Sequence, residues 1–259
     1  MSSSKSKTPL ENLFAWRYPI AAVLLISSFY VQIQDWKVAL TQGISPVLTV
    51  WMIDSILQEV WKNRRRFNLI SSVYFRSGIR VYIQAITLLI LTLTIAVVAY
   101  AIVPGWMKLG WTSFVFNSST NLAVQPFQAI KQSSTNWVQN LLLLVLWAFM
   151  VFALPFLAEQ EEQIFRSRTL EWTNIARNSL VFGLIHLVMG VPLIASFVLA
   201  VPGFAFGCRY RQTYYRSIRK YAYSSEAAHE EALLASTKLH SIYNAIAITI
   251  LVGTMAAFS

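Results

Sequence analysis

The chain has 259 residues, 56% of them hydrophobic and only 12% charged, with a net charge of +10 and a mean hydropathy of +0.52. A soluble domain carries about a quarter charged residues, so the composition argues against an ordinary water-soluble globule and points to lipid. The single cysteine, Cys208, excludes an intrachain disulfide and a cysteine-built metal cage.

Residues 1–17 form a polar, Ser/Lys-rich tail. Apolar stretches near bilayer length follow at 18–33, 44–61, 81–103, 138–158, 178–190, 191–207 and 240–258, the fifth and sixth sharing a break at Gly190 and Pro192. The first carries a basic flank, but no small-x-small cleavage site follows it, so it is read as a retained helix. With the N-terminus cytoplasmic and sides alternating, every Lys and Arg except Lys37, Lys108 and Lys131 falls on the inside. That asymmetry is the positive-inside pattern for about seven spans. The basic excess is then topological, and nucleic acid is not an expected partner. The predicted fold is an all-α, polytopic integral membrane helix bundle, with 18–259 as one membrane domain.

Between the spans, 62–80 with Arg64-Arg65-Arg66 reads as an interfacial cytoplasmic segment drawn to anionic lipid. The stretch 104–137, with Trp106, Trp111 and Trp137, reads as an outer connection at headgroup depth, with room for a re-entrant segment. A second cytoplasmic excursion is predicted over 208–235, basic at first and helical from Ser225 to Ala235. Gly203-x-x-x-Gly207 predicts a close helix contact. Asp54 and Glu59 in the second span suggest snorkelling or an interhelical hydrogen bond, with a proton path as the alternative.

Three polar motifs punctuate the apolar second half: Glu161-Glu162-x-x-x-Arg166, Phe182-x-x-x-His186 and His240-x-x-x-Asn244. Ionisable groups in apolar helices are costly and are functional candidates by default. Each motif alone has a structural explanation. Glu162 and Arg166 are four apart and can pair on one helix face, His186 can be a hydrogen-bonded packing residue, and His240 with Asn244 can tie helices together. On the predicted topology, however, Glu161, His186, His240 and Asn244 lie at similar depth near one membrane face. The third histidine, His229, sits in an acidic helical segment and is expected to be solvated.

The chain resembles the CPBP family of CAAX prenyl endopeptidases and bacteriocin-processing membrane proteases over about residues 141–250. The resemblance is carried by Pro155-Phe-Leu-Ala-Glu-Gln-Glu161-Glu162-Gln-Ile-Phe165-Arg166, Phe182-Gly-Leu-Ile-His186, Gly203-Phe-Ala-Phe-Gly207 with Tyr210-Arg211, and His240-Ser-Ile-Tyr-Asn244. Ser167 stands where the family usually has Gly, and the stretch before His240 is long and charged.

The resemblance implies a glutamate-dependent intramembrane endopeptidase facing the cytoplasm, probed by a peptide or prenylated-protein substrate and embedded in the cell membrane. Glu161 would be the general base, His186 would position the water, and His240 with Asn244 would hold the oxyanion. Glu162 and Arg166 would orient the motif helix, and Phe182 would pack beside His186. No cofactor is expected. The alternative is a zinc site of Glu161, His186 and His240, a known hydrolase ligand set, although His-Glu-x-x-His is absent. Two other functions compete: an inactive membrane scaffold, and a proton-coupled small transporter using Asp54 and Glu59.

Overall fold

The computed structural model describes residues 53–110, 136–222 and 224–257. Every regular element among them is helical. After a helical stretch over 53–62 come α1 (Phe67–Tyr74), α2 (Ile79–Ile102), a 3-10 turn (Gly105–Lys108), α3 (Asn136–Arg166), α4 (Trp172–Ile185), a 3-10 turn (His186–Met189), α5 (Leu193–Tyr221) and α6 (Ser225–Ala257). The predicted span 18–33, the start of 44–61 and residues 111–135 of the predicted outer connection 104–137 lie outside the described residues.

Among the described residues, three helices are long and apolar enough to cross a membrane: Ile79–Ile102, Asn140–Arg166 and Leu193–Lys220. Their outward faces are apolar as well. On α2 alone, Ile83, Ile86, Ile90, Leu93 and Val97 are exposed, a patch that water-soluble monomers rarely tolerate. The described residues thus form a helical bundle of membrane type.

Backbone chemistry explains the breaks. α2 stops at Val103, whose extended backbone (ψ 153°) is the conformation imposed on a residue preceding proline. Within α3, Pro155 has no N–H, so the carbonyl of Val151 loses its donor. The Tyr74 hydroxyl supplies one at 2.8 Å, and Tyr82 in turn donates to the Tyr74 carbonyl at 2.5 Å. This chain of bonds docks α1 between α2 and α3. α4 gives way to a 3-10 turn closed by Gly190 at φ 80°, a left-handed position that glycine takes without strain. Pro192 then caps α5. The break predicted at Gly190 and Pro192 is therefore where two helices meet.

The basic stretch after residue 207 is helical, where the sequence suggested helix only from Ser225. α5 continues to Tyr221, Ala222 takes a left-handed backbone (φ 50°), and α6 begins at Ser225. The Ser224 hydroxyl caps α6 through the Ala227 N–H. Hydropathy falls where the arginines begin, but helical packing persists: Tyr210 and Tyr214, four apart on one face, bury themselves against Ala228 and Ala232 of α6. The fifth predicted stretch, 178–190, is divided between α4 and the 3-10 turn after it. α4 has 14 residues, about 21 Å of rise, short of a hydrocarbon core of about 30 Å.

α3 and α6 run antiparallel. Leu143 packs on Val252 and Trp147 Nε1–H donates to Thr249 at 2.9 Å, so the other end of α3 is brought alongside the middle of α6. α4 is pressed onto α5 through glycines. A Cβ on Gly183 would lie 2.2 Å from the Ser196 carbonyl oxygen, and one on Gly203 would lie 2.8 Å from the Phe182 ring. The small-xxx-small pair on α5 is thus a close helix contact that admits Phe182, Ile175 and the Arg166 side chain.

Candidate functional site

The site lies where the basic end of α3 meets α6, with α4 and α5 closing it. Glu162 and Arg166, one turn apart at the end of α3, are both completely buried. Arg166 Nε lies 3.8 Å from Glu162 Oε2, and the guanidinium sits over the Phe182 ring at 5.2 Å, a favourable position for a cation. Arg166 Nε and Nη2 have no hydrogen-bond partner among the described residues.

His240 stands between the two adjacent carboxylates. Its Nδ1 bonds to Glu162 Oε1 at 2.9 Å, and its Nε2 is 3.7 Å from Glu161 Oε2, too long for a hydrogen bond. With Glu162 ionised, Nδ1–H is the donor, and Nε2 faces Glu161. The ring is fixed from the sides too. It stacks on Phe206 at 4.3 Å and meets the Phe182 ring edge-on at 5.5 Å. Glu161 is different from its neighbour. Its side chain is 39% exposed, yet Oε2 is buried and lacks a hydrogen bond among the described residues.

His186 comes to the same aromatic hub from α4. Its ring is 5.0 Å from that of Phe182, and its Nδ1–H donates to the Phe182 carbonyl at 2.7 Å. Nε2 is left as the free acceptor. His186 occupies the end of α4, where the helix tightens into the 3-10 turn, rather than two turns into a span. No hydrogen bond or ion pair joins it to Glu161 among the described residues. Asn244 lies one turn beyond His240 on α6, half-buried, its side chain making no hydrogen bond to another described residue.

The structure therefore sets Arg166, His186 and His240 against the Phe182 ring and brings Glu161 and Glu162 to His240, with Asn244 one turn further along α6. Sequence reasoning missed four buried residues here. Ser236 is buried and donates to Glu162 Oε2, with the Phe206 carbonyl 3.0 Å away. It lies four residues before His240, so helical spacing alone put it on that face. Phe206 was seen only as the filling of a glycine pair. The buried hydroxyls of Thr237 and Ser241 also have no partner among the described residues. No group of three His, Cys, Asp or Glu side chains among the described residues is arranged to hold a metal ion.

Asp54 accepts from Gln58 at 2.7 Å and Glu59 from Asn63 at 2.6 Å, in each case from four residues further along the chain. His229 is not simply solvated as expected. Its ring stacks on Tyr214 at 4.4 Å, and its Nδ1 accepts from the Tyr210 hydroxyl at 2.7 Å, which itself accepts from the Arg168 N–H at 2.9 Å. Burial, then the nearby Arg168 charge, push the His229 imidazole below its ordinary value, with Glu226 pulling the other way.

No protein-family model, curated protein or solved structure matches the chain. What the fold and site define is a class: a helical bundle of membrane type with a buried Glu–His centre on its basic side.

Proposed function

We propose that this chain is an intramembrane glutamate-dependent endopeptidase of the CPBP type, with about seven spans, its N-terminus and site facing the cytoplasm. The supporting observation is His240 held between a buried Glu162 and a reachable Glu161 whose inner oxygen has no hydrogen-bond partner among the described residues. A base must be free of hydrogen bonds and reachable by water; the Glu161 side chain is partly exposed, and its buried inner oxygen has no hydrogen-bond partner among the described residues.

In this reading water enters beside Glu161 and loses a proton to its carboxylate. The hydroxide adds to the peptide carbonyl, and the resulting oxyanion collapses by expelling the amine, which takes the proton back from Glu161. His186 Nε2 orients the water, and Asn244 donates to the oxyanion. His240 joins from Nε2 once that nitrogen carries a proton. Glu162, Arg166, Ser236 and Phe206 act on His240 and α3 as positioning residues, and Phe182 separates the two imidazoles. The substrate is a peptide or a prenylated protein, presented from the cytoplasmic side.

One observation favours a second reading. Glu162, Arg166, His240 and Ser236 are all buried, as they would be in an inactive scaffold whose polar network only ties helices together. Cleavage of fluorogenic prenylated and unprenylated peptides by the reconstituted protein separates the two. Glu161→Ala and His186→Ala are expected to abolish cleavage with insertion intact. Full turnover by Glu161→Ala would remove the assigned base. Activity lost to a tight chelator and restored by zinc would replace water activation by glutamate with a Glu161, His186 and His240 metal site.

A further inference from the structure

Away from the Glu–His centre, α2, α5 and α6 enclose a cleft of about 470 Å³, within the usual range for small-molecule sites. Part of its lining is apolar: Leu88 and Leu91 from α2, Phe204 from α5 and Leu239 from α6. Leu91 and Phe204 are also exposed on the outer faces of their spans, so the cleft opens sideways, toward lipid. Its other end is polar, lined by Gln84, Arg209 and Gln212. α2 begins and the membrane part of α5 ends at this level, so the polar end lies near one membrane surface.

Charge at that end is strongly one-sided. Arg209 Nε is buried with no hydrogen-bond partner among the described residues. Arg216 acts on Arg209 as a like charge, and Arg209 and Arg76 act likewise on Lys238. Glu231 is the opposing charge felt by Lys238, and burial with these neighbours leaves the amine below its ordinary value. Arg209 is the charged group in the cleft lining, and its surroundings are predominantly basic; beside a greasy slot open to the bilayer, this complements one kind of occupant.

We propose that this cleft binds an anionic glycerophospholipid, its phosphate against Arg209 and an acyl chain along Leu88, Leu91 and Phe204. Basic pockets between membrane helices recognise such headgroups, each Lys or Arg contributing about 1 kcal/mol, or about fivefold in binding. A neutral lipid would leave the buried Arg209 donor unmatched. A soluble anion would leave the apolar slot empty. The site is independent of the peptidase reading, since it touches none of the residues assigned to catalysis.

The test is native mass spectrometry of the full chain released from nanodiscs of mixed phosphatidylcholine and phosphatidylglycerol. The wild type is expected to retain phosphatidylglycerol selectively. Arg209→Gln, which keeps a donor at the cleft, is expected to lower that retention about fivefold. Thr87→Trp fills the slot from an exposed position on its wall and is expected to remove the bound lipid with the melting temperature unchanged. Arg177→Gln makes the same change of charge at an exposed position outside the cleft and is expected to leave retention at the wild-type level. Equal retention of both lipids by the wild type overturns the proposal. So does an equal loss in Arg209→Gln and Arg177→Gln, or undiminished lipid in Thr87→Trp.

Discussion

Replacing each of the two adjacent glutamates by glutamine removes the same charge, yet the structure predicts different failures. Glu162 is fully buried and uses both oxygens: Oε1 serves His240 Nδ1–H, and Oε2 serves Ser236 and faces Arg166. An amide offers one acceptor oxygen and turns an NH₂ group toward the remaining donors, while Arg166 stays buried without its counter-charge. Breaking a buried pair in this way costs about 3–5 kcal/mol, a large part of a typical total of about 5–15 kcal/mol. For a chain of this size it corresponds to a fall in melting temperature of roughly 6–20 °C. Glu161 has no hydrogen bond to lose on its inner oxygen and is partly exposed, so Glu161→Gln is expected to change stability by about 0.5 kcal/mol or less. Its effect belongs to turnover, where loss of a general base costs about 10²–10⁴-fold. The assay is tryptophan-fluorescence melting of both variants in one detergent, followed by peptide cleavage on the folded fraction. A Glu162→Gln variant that melts with the wild type would refute the argument from burial. So would a Glu161→Gln variant that unfolds as Glu162→Gln is expected to.

Glycine changes are expected to have opposite signs at two positions. Gly183→Ala drives a methyl into the Ser196 carbonyl and is expected to cost about 1–3 kcal/mol. Gly253→Ala meets open space on α6 and is expected to gain about 0.4–1 kcal/mol, both read from the same melting curves. Tyr74→Phe leaves the Val151 carbonyl, already deprived of a donor by Pro155, without its 2.8 Å partner, a loss of about 1–3 kcal/mol. For His229 the sign follows from its depressed value. The folded state favours the neutral ring and the unfolded chain binds more protons, so this contribution is present above about pH 6.5 and is lost as pH falls through and below that point. Melting temperatures of wild type and His229→Gln measured across that window are expected to diverge at high pH and converge at low pH.

Much of this was legible because apolar runs and turn residues act locally. The breaks at Pro104 and at Gly190 with Pro192 follow from backbone sterics, and α2 and α3 follow from uninterrupted hydrophobicity. The continuation of α5 was hidden because hydropathy measures where lipid ends, whereas a helix ends only when its hydrogen bonds and packing do. Tyr210 and Tyr214 had a partner, the Ala228 and Ala232 face, that becomes visible only once α6 folds back. The same non-local closure placed His229 between aromatic rings despite its acidic neighbours.

The Glu161–Glu162 pair shows the limit most clearly. Spacing correctly indicated that Glu162 reaches Arg166, four residues on, but its principal bonds run to Ser236 and His240, 74 and 78 residues away. Consecutive residues on a helix differ by about 100° in direction, so one of the two must face a neighbouring helix more directly than the other. Which one does so depends on where α6 lies, and that is set by distant contacts such as Leu143 with Val252 and Trp147 with Thr249. Those contacts turn Glu162 into the packed interface and leave Glu161 at its edge, on opposite nitrogens of one imidazole. The division of labour between holding the histidine and meeting water therefore comes from helix registry, and a variant that shifts α3 against α6 should disturb both roles together.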